Sequence, residues 1–347
     1  MSEFDQCMAA EIREAPEAVA RQRLSLQPAL GELVARLERK PPHVIVTCAR
    51  GRSAHAATFG KHLIERRLGI PVAAAAPSIA TVYGRQLELR DQLFLAVSQS
   101  GRSDDLVEQA TVAKAAGALT VALVNTADSP LARASDIVLD LAAGPELSVA
   151  ATKSFVASLS ALLRLAALWT RDRAAEAALD RLPERLARAE ALDWSPALGS
   201  LGETISLITI GRGPTLAIAR EASLKLKETG NLHAEAFSGA EFMHGPVTLV
   251  SQRYPILVFM PTDEAAAGLR ALAADLRAKG AALFVTDANA GSQDGASPGL
   301  PALPPDHPEA DAICLVQSFY GMAVRLAALR GLDVDRPRHL EKVTRTR

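Results

Sequence analysis

Short apolar runs alternate along the chain with longer stretches in which apolar residues recur at helical spacing. His43–Cys48 (HVIVTC), Asp91–Ser98 (DQLFLAVS), Leu119–Asn125 (LTVALVN) and Ile137–Leu141 have the length and apolar content of buried strands. A helical stretch follows the first run to Arg67, another follows the second through Ala116, and a long Ala/Leu helix is predicted from about Val149 to Trp169. Strands buried on both faces read as continuous apolar runs, and helices carry the chain back between parallel neighbours. The pattern predicts an α/β fold with a parallel sheet covered on both faces.

The second half repeats the first. Thr204–Ile210 ends in Gly211-Arg212-Gly213 as His43–Cys48 ends in Ala49-Arg50-Gly51, and Gly51 and Gly213 lie 162 residues apart. Leu93 and Pro255 have the same separation, as do Asn125 and Asp287. The segment Arg164–Leu168 recurs as Arg325–Leu329. A constant offset over several elements indicates two tandem copies of one domain. The expected organisation is a helical segment over 1–40, a first domain over 41–170, a helical linker over 171–194, a second domain over 195–330 and a tail over 331–347. The Gly/Pro-rich stretch Asn289–Pro308 is expected to replace the last strand of the second copy or leave it very short.

Composition narrows the classes of function. The 347 residues are 49% hydrophobic, enough for full cores, and the net charge of −1 supplies no global field for nucleic acid or membrane. An anionic ligand therefore needs a local site. Three cysteines with no CxxC spacing argue against a disulfide framework and structural zinc. The acidic N-terminus lacks the features of a signal peptide, and charges interrupt the apolar runs before they reach the ~18 residues of a membrane span. A cytoplasmic protein is expected.

The repeat is most informative where it fails. The first copy continues from Val97 into Ser98-Gln99-Ser100-Gly101-Arg102-Ser103, where the second has Met260-Pro261-Thr262-Asp263-Glu264-Ala265. A strand–turn–helix presents unpaired N–H groups and partial positive charge at the helix start. Three hydroxyls, a Gln and a Gly in six residues fit a phosphate cradle there better than a simple helix cap. With neither a P-loop lysine nor GxGxxG, no nucleoside triphosphate or dinucleotide is indicated. Ser53 sits after the first strand, either as another donor or as an N-cap. Arg50 and Arg52 add positive charge or are simply solvated.

The acid–base candidates lie in the second copy. In Glu221–Glu228 (EASLKLKE), Lys225 and Glu228 share a helix face at i, i+3, which by itself reads as a surface ion pair. His233–Pro246 follows, with His233, Glu235, Glu241 and His244 amid Gly and Pro, and is expected to be a loop. It lacks the HExxH arrangement, so no metal is expected.

Several of these motifs resemble a known family. Met8–Pro16 (MAAEIREAP), Ser98–Ser103 (SQSGRS), Ala143–Lys153 (AGPELSVAATK), Glu221–Glu228 with His233–Pro246, and the tail Gly331–Thr344 occur in the order found in tandem sugar isomerase (SIS) domain proteins. That family includes the isomerase half of glutamine–fructose-6-phosphate aminotransferase and stand-alone glucosamine-6-phosphate deaminases. The resemblance implies two tandem doubly wound, flavodoxin-like domains. It implies a sugar-phosphate cradle of Ser53, Ser98, Gln99, Ser100 and Ser103, with Val149 and Ala151 lining the sugar; the family often has Ser where Ala151 stands. Glu228 corresponds to the base that moves a proton between C1 and C2, with Lys225 beside it. His244 corresponds to the ring-opening group, contributed across a homodimer interface, and Lys342 to a tail lysine that reaches the open-chain sugar. No cofactor is implied. Arg102 stands where the synthases commonly carry an acidic residue, and the SQSGRS form looks more like the deaminase branch. Only about 40 residues precede the first strand, so no glutaminase domain is expected. The expected activity is conversion of glucosamine 6-phosphate and water to fructose 6-phosphate and ammonia. Alternatives are an ammonia-using aminotransferase, another phosphosugar isomerase, or a non-catalytic sugar-phosphate-binding regulator.

Overall fold

A computed structural model describes residues 7–288 and 299–342. The first copy runs α1 (Cys7–Arg39), β1 (Ile45–Ala49), α2 (Gly51–Leu68), β2 (Val72–Ala74), α3 (Ser78–Thr81), β3 (Leu93–Ser98), α4 (Asp104–Ala115), β4 (Leu119–Val124), α5 (Pro130–Ala134), β5 (Ile137–Asp140) and α6 (Lys153–Thr170). The second follows as α7 (Arg173–Glu190), α8 (Leu198–Glu203), β6 (Ser206–Gly211), α9 (Thr215–Gly230), β7 (His233–Ser238), α10 (Gly239–Phe242), β8 (Pro255–Val258), α11 (Ala266–Ala278), β9 (Ala282–Asp287), β10 (Leu300–Pro301) and α12 (Pro308–Leu329).

Each copy has a five-stranded sheet, with order β2-β1-β3-β4-β5 in the first and β10-β9-β8-β6-β7 in the second. Every ladder is parallel. Counted within its own copy, each sheet has the doubly wound order 2-1-3-4-5, so the sequence repeat is a repeat of topology. Continuous apolar runs produce the buried centres, as in β3, where all six residues are buried. The last strand of the second copy, β10, is two residues long, and residues 289–298 lie outside the described residues.

The chain divides into two compact units that trade segments. The carboxy-terminal unit takes the start of α1 through Pro16, the loop Leu147–Thr152 and Arg181–Leu340; the amino-terminal unit takes Glu17–Glu146, Lys153–Asp180 and Glu341–Lys342. α1 is thus shared, and the loop between β5 and α6 belongs with the second copy. The long helix expected from Val149 starts at Lys153, leaving Val149–Thr152 without helix or strand, with Ala150, Ala151 and Thr152 buried.

Two expectations need correction. His233–Ser238 is a strand, not a loop: β7 pairs with β6 along its whole length, from Ser206↔His233 to Gly211↔Ser238. It is an edge strand with exposed His233 and Glu235, so its sequence lacks the apolar run of a central strand. Second, α12 holds an 18-residue window of mean hydropathy 1.6, long and apolar enough to cross a membrane, although 78% of that window is buried inside the protein. The charges of α12 fall near its ends, at Glu309, Asp311 and Arg325, and leave the middle apolar.

Candidate functional site

In the amino-terminal unit the strand order reverses between β1 and β3, and the loops leaving these neighbours diverge. Ligands of open parallel sheets bind beyond the carboxyl ends of the strands at this kind of reversal. Ala49 and Val97 pair at the strand ends, so Arg50–Ser53 and Ser98–Ser103 leave the sheet side by side. Ser98 is 5% exposed; its Oγ accepts from the Gly101 N–H at 3.1 Å, and Ser100 Oγ accepts from the Arg102 N–H at 3.3 Å. A hydroxyl that accepts from an amide still has its own proton to donate. Ser103 occupies the N-cap of α4 but its side chain makes no capping bond.

Gly101 has φ 62°, and a Cβ there would stand 2.1 Å from Ser129 Oγ. The close approach lets the Gly101 carbonyl accept from the Leu131 N–H at 3.1 Å. The Gln99 carbonyl accepts from the Asn125 N–H at 3.1 Å, and the Asn125 side chain bonds Ala143 N–H and Gly144 C=O, each at 2.8 Å. Asn125 thus fastens the serine loop to the segment leading into α6, a role that the sequence showed only as a strand end.

Ser53 is not the N-cap of α2: Arg50 holds that position, and Ser53 sits half-buried in the first turn with its N–H on the Arg50 carbonyl at 3.1 Å. Nor is Arg50 simply solvated. Its Nη2 lies 2.7 Å from Asp105 Oδ2, on a side chain with no exposure. Cys48, near the end of β1, is buried, and burial pushes its thiol up to about 12.

The acid–base candidates sit in the carboxy-terminal unit. Lys225 on α9 is completely buried; its Nζ donates to Glu228 Oε2 and to the Ala151 carbonyl, each at 3.0 Å, and lies 3.4 Å from Glu221 Oε1. Tyr320 Oη donates to the same Glu221 oxygen at 3.1 Å. The expected surface ion pair is therefore an interior network, with the Glu228 side chain 15% exposed. Through Ala151, Lys225 joins the Glu228 helix to the loop containing Val149. Replacing Lys225 with Met should destabilise the protein by about 3–5 kcal/mol, because a buried carboxylate loses its counter-charge. Chemical denaturation measures this; a loss under ~1 kcal/mol would mean that water screens the pair.

Glu228 also borders a cavity of about 210 Å³ lined by Lys227, Thr229, Leu332, Arg336 and Arg338. The tail, which has no helix or strand over residues 331–342, thus lies against the carboxylate-bearing end of α9. His244 follows α10 in an exposed turn with its N–H on the Glu241 carbonyl at 3.0 Å, and it does not line this cavity. Lys342 is half-buried and groups with the amino-terminal unit. Within the carboxy-terminal unit, Lys225, Glu228, Ala151 and the tail are therefore brought together, while His244 stands apart from them. Among the described residues no group of three or more His, Cys, Asp or Glu side chains is placed to hold a metal ion.

The family model for the SIS domain matches this chain twice, over residues 40–168 and 202–328. The chain belongs to the SIS-domain family. It is 34% identical to a glutamine–fructose-6-phosphate aminotransferase (isomerizing) of Pseudomonas syringae, over 98% of this chain and 59% of that protein. The SIS chain thus spans little more than half of that relative's length. Among solved structures, a candidate phosphosugar isomerase from Silicibacter pomeroyi matches with a TM-score of 0.88 and 43% identity, covering 94% of this chain and 99% of that one. The C-terminal domain of the glucosamine-fructose-6-phosphate aminotransferase from Francisella tularensis matches with a TM-score of 0.84 and 28% identity, covering 97% and 100%. This SIS protein is homologous to the carboxy-terminal half of those aminotransferases and to phosphosugar isomerases.

Proposed function

We propose that this SIS protein is an amino-sugar-phosphate isomerase that deaminates glucosamine 6-phosphate, yielding fructose 6-phosphate and ammonia. The observation that carries the reading is the position of Glu228: a carboxylate hydrogen-bonded to a wholly buried lysine and bordering a cavity lined in part by the tail. The hydroxyl-rich loop at the sheet reversal supports a phosphate-bearing substrate, and the SQSGRS form of that loop supports deamination over synthesis.

In this reading Ser98, Gln99, Ser100 and Ser103, with Ser53, hold the phosphate, and Val149 and Ala151 line the sugar. Phosphate binding far from C1 orients the reacting end. His244 serves ring opening by passing a proton to the ring oxygen. Glu228 then takes the C2 proton of the open-chain aldose and returns it to C1, leaving an imine at C2. Water adds to the imine carbon, ammonia departs and the ketose remains; Lys342 contacts the open-chain sugar. The reaction needs no cofactor or metal and belongs in the cytoplasm.

The substrate class is tested by turnover on glucosamine 6-phosphate, galactosamine 6-phosphate and unphosphorylated glucosamine, without added cofactor. Ketose phosphate from the first is expected. Turnover of only the galacto compound would move the specificity to the other epimer, and turnover of none would remove the deaminase reading. The reading also includes a homodimer in which His244 completes the partner's site. Mixing inactive Glu228→Gln and His244→Ala proteins should then restore part of the activity, since some mixed dimers hold one intact site. No recovery after demonstrated subunit exchange would mean that each chain completes its own site.

A further inference from the structure

The start of α1 makes two attachments that no role described so far uses. Glu11, 4% exposed, accepts with one carboxylate oxygen from the Leu147 N–H and from the Ser148 N–H, the latter at 3.3 Å. These amides begin the loop that continues through Val149 and Ala151. One turn earlier, the first N–H groups of α1 meet the tail: Cys7 N–H donates to Asp335 Oδ2 at 3.1 Å and Met8 N–H to Oδ1 at 2.9 Å. The buried Gln317 of α12 fixes the helix just past Glu11, its Nε2 donating to the Ile12 carbonyl at 2.8 Å. All of these groups lie in the carboxy-terminal unit.

We infer that Glu11 and Asp335 are positioning residues, and that the first two turns of α1 brace the Val149–Ala151 loop and the tail against each other around Glu228. The inference rests on the proposed function for its kinetic consequence only. A carboxylate accepting backbone N–H groups makes stronger hydrogen bonds than a neutral acceptor, and at a helix start it also meets the positive end of the helix dipole. The loop and the tail lack regular secondary structure, so they depend on such side-chain anchors to stay ordered. The Lys225–Ala151 bond fixes the loop from the α9 side, and Glu11 fixes it from the α1 side. A small displacement of either wall shifts the sugar relative to Glu228, and misplacements of that scale cost turnover far more than binding.

Amide hydrogen exchange combined with kinetics tests this on the full chain. The variants are Glu11→Ala and Asp335→Ala, the conservative Glu11→Gln and Asp335→Asn, and Leu30→Ala as a buried α1 control outside the brace. Exchange at Leu147 and Ser148 should rise by about tenfold in Glu11→Ala, the equivalent of one net hydrogen bond, and should also rise in Asp335→Ala, which touches neither amide. Both alanine variants should lose kcat per folded molecule while keeping wild-type affinity for inorganic phosphate, and the conservative variants should recover much of it. Leu30→Ala should lower the melting temperature and change neither readout. Wild-type exchange at Leu147 and Ser148 in Asp335→Ala would overturn the brace, as would equal loss of kcat in Leu30→Ala. Exchange needs no substrate, so a protein that releases no ammonia but shows the coupled exchange loses the proposed function and keeps the brace.

Discussion

Glu228→Gln is expected to lower turnover of glucosamine 6-phosphate by about 10²–10⁴-fold while KM stays close to wild type. The amide has nearly the shape of the carboxylate, and its carbonyl oxygen still accepts from Lys225, so α9 keeps its packing. What disappears is the capacity to take a proton from C2 and return it to C1. A purely structural role predicts the reverse pattern: a lower melting temperature with normal turnover per folded molecule. The wholly buried Lys225 already removes the third case, a solvated surface pair. Turnover and thermal melting on one preparation distinguish the remaining two.

Loss of the phosphate cradle is the second large effect. Ser98→Ala with Ser100→Ala removes two hydroxyl donors to a dianion, each worth about 1.5–3 kcal/mol for a charge-assisted hydrogen bond. The apparent affinity for glucosamine 6-phosphate should fall by roughly 10²–10⁴-fold. Each hydroxyl also accepts from a loop amide, Gly101 N–H and Arg102 N–H, so a modest loss of stability should accompany the change. Inorganic phosphate as a competitor separates the two effects: it should inhibit the wild-type protein competitively and fail to inhibit the double variant. Unchanged half-saturation in the double variant would mean that the serines only shape the turn.

The central strands, the tandem repeat and the serine loop were legible in the sequence because buried parallel strands cannot avoid continuous apolar runs. The edges were not. β2 has only three residues, two of them exposed, and β7 alternates exposed His233 and Glu235 with buried Ala234. An edge strand is held by backbone pairing along one side, which leaves little trace in side-chain hydrophobicity. The pairing of Lys225 with Glu228 was visible as an i, i+3 spacing, but its burial was not, because α12 and the Ala151 loop that cover it lie far away in sequence. Asn125, Glu11 and Asp335 were hidden for the same reason: each acts on backbone groups contributed by another segment. Ser53 shows the opposite case. Its place after β1 was clear, but the helix starts three residues earlier than a capping serine would require.

The claim that Glu228 carries out an aldose–ketose shift ending in loss of the amine is tested most directly by following ammonia and fructose 6-phosphate together. Purified wild-type protein and Glu228→Gln are incubated with glucosamine 6-phosphate in the same assay without cofactor. Wild type is expected to release ammonia and fructose 6-phosphate in equal amounts, and Glu228→Gln to form both about 10²–10⁴-fold more slowly. Ammonia and ketose phosphate formed at wild-type rate by the Glu228→Gln protein would contradict the account.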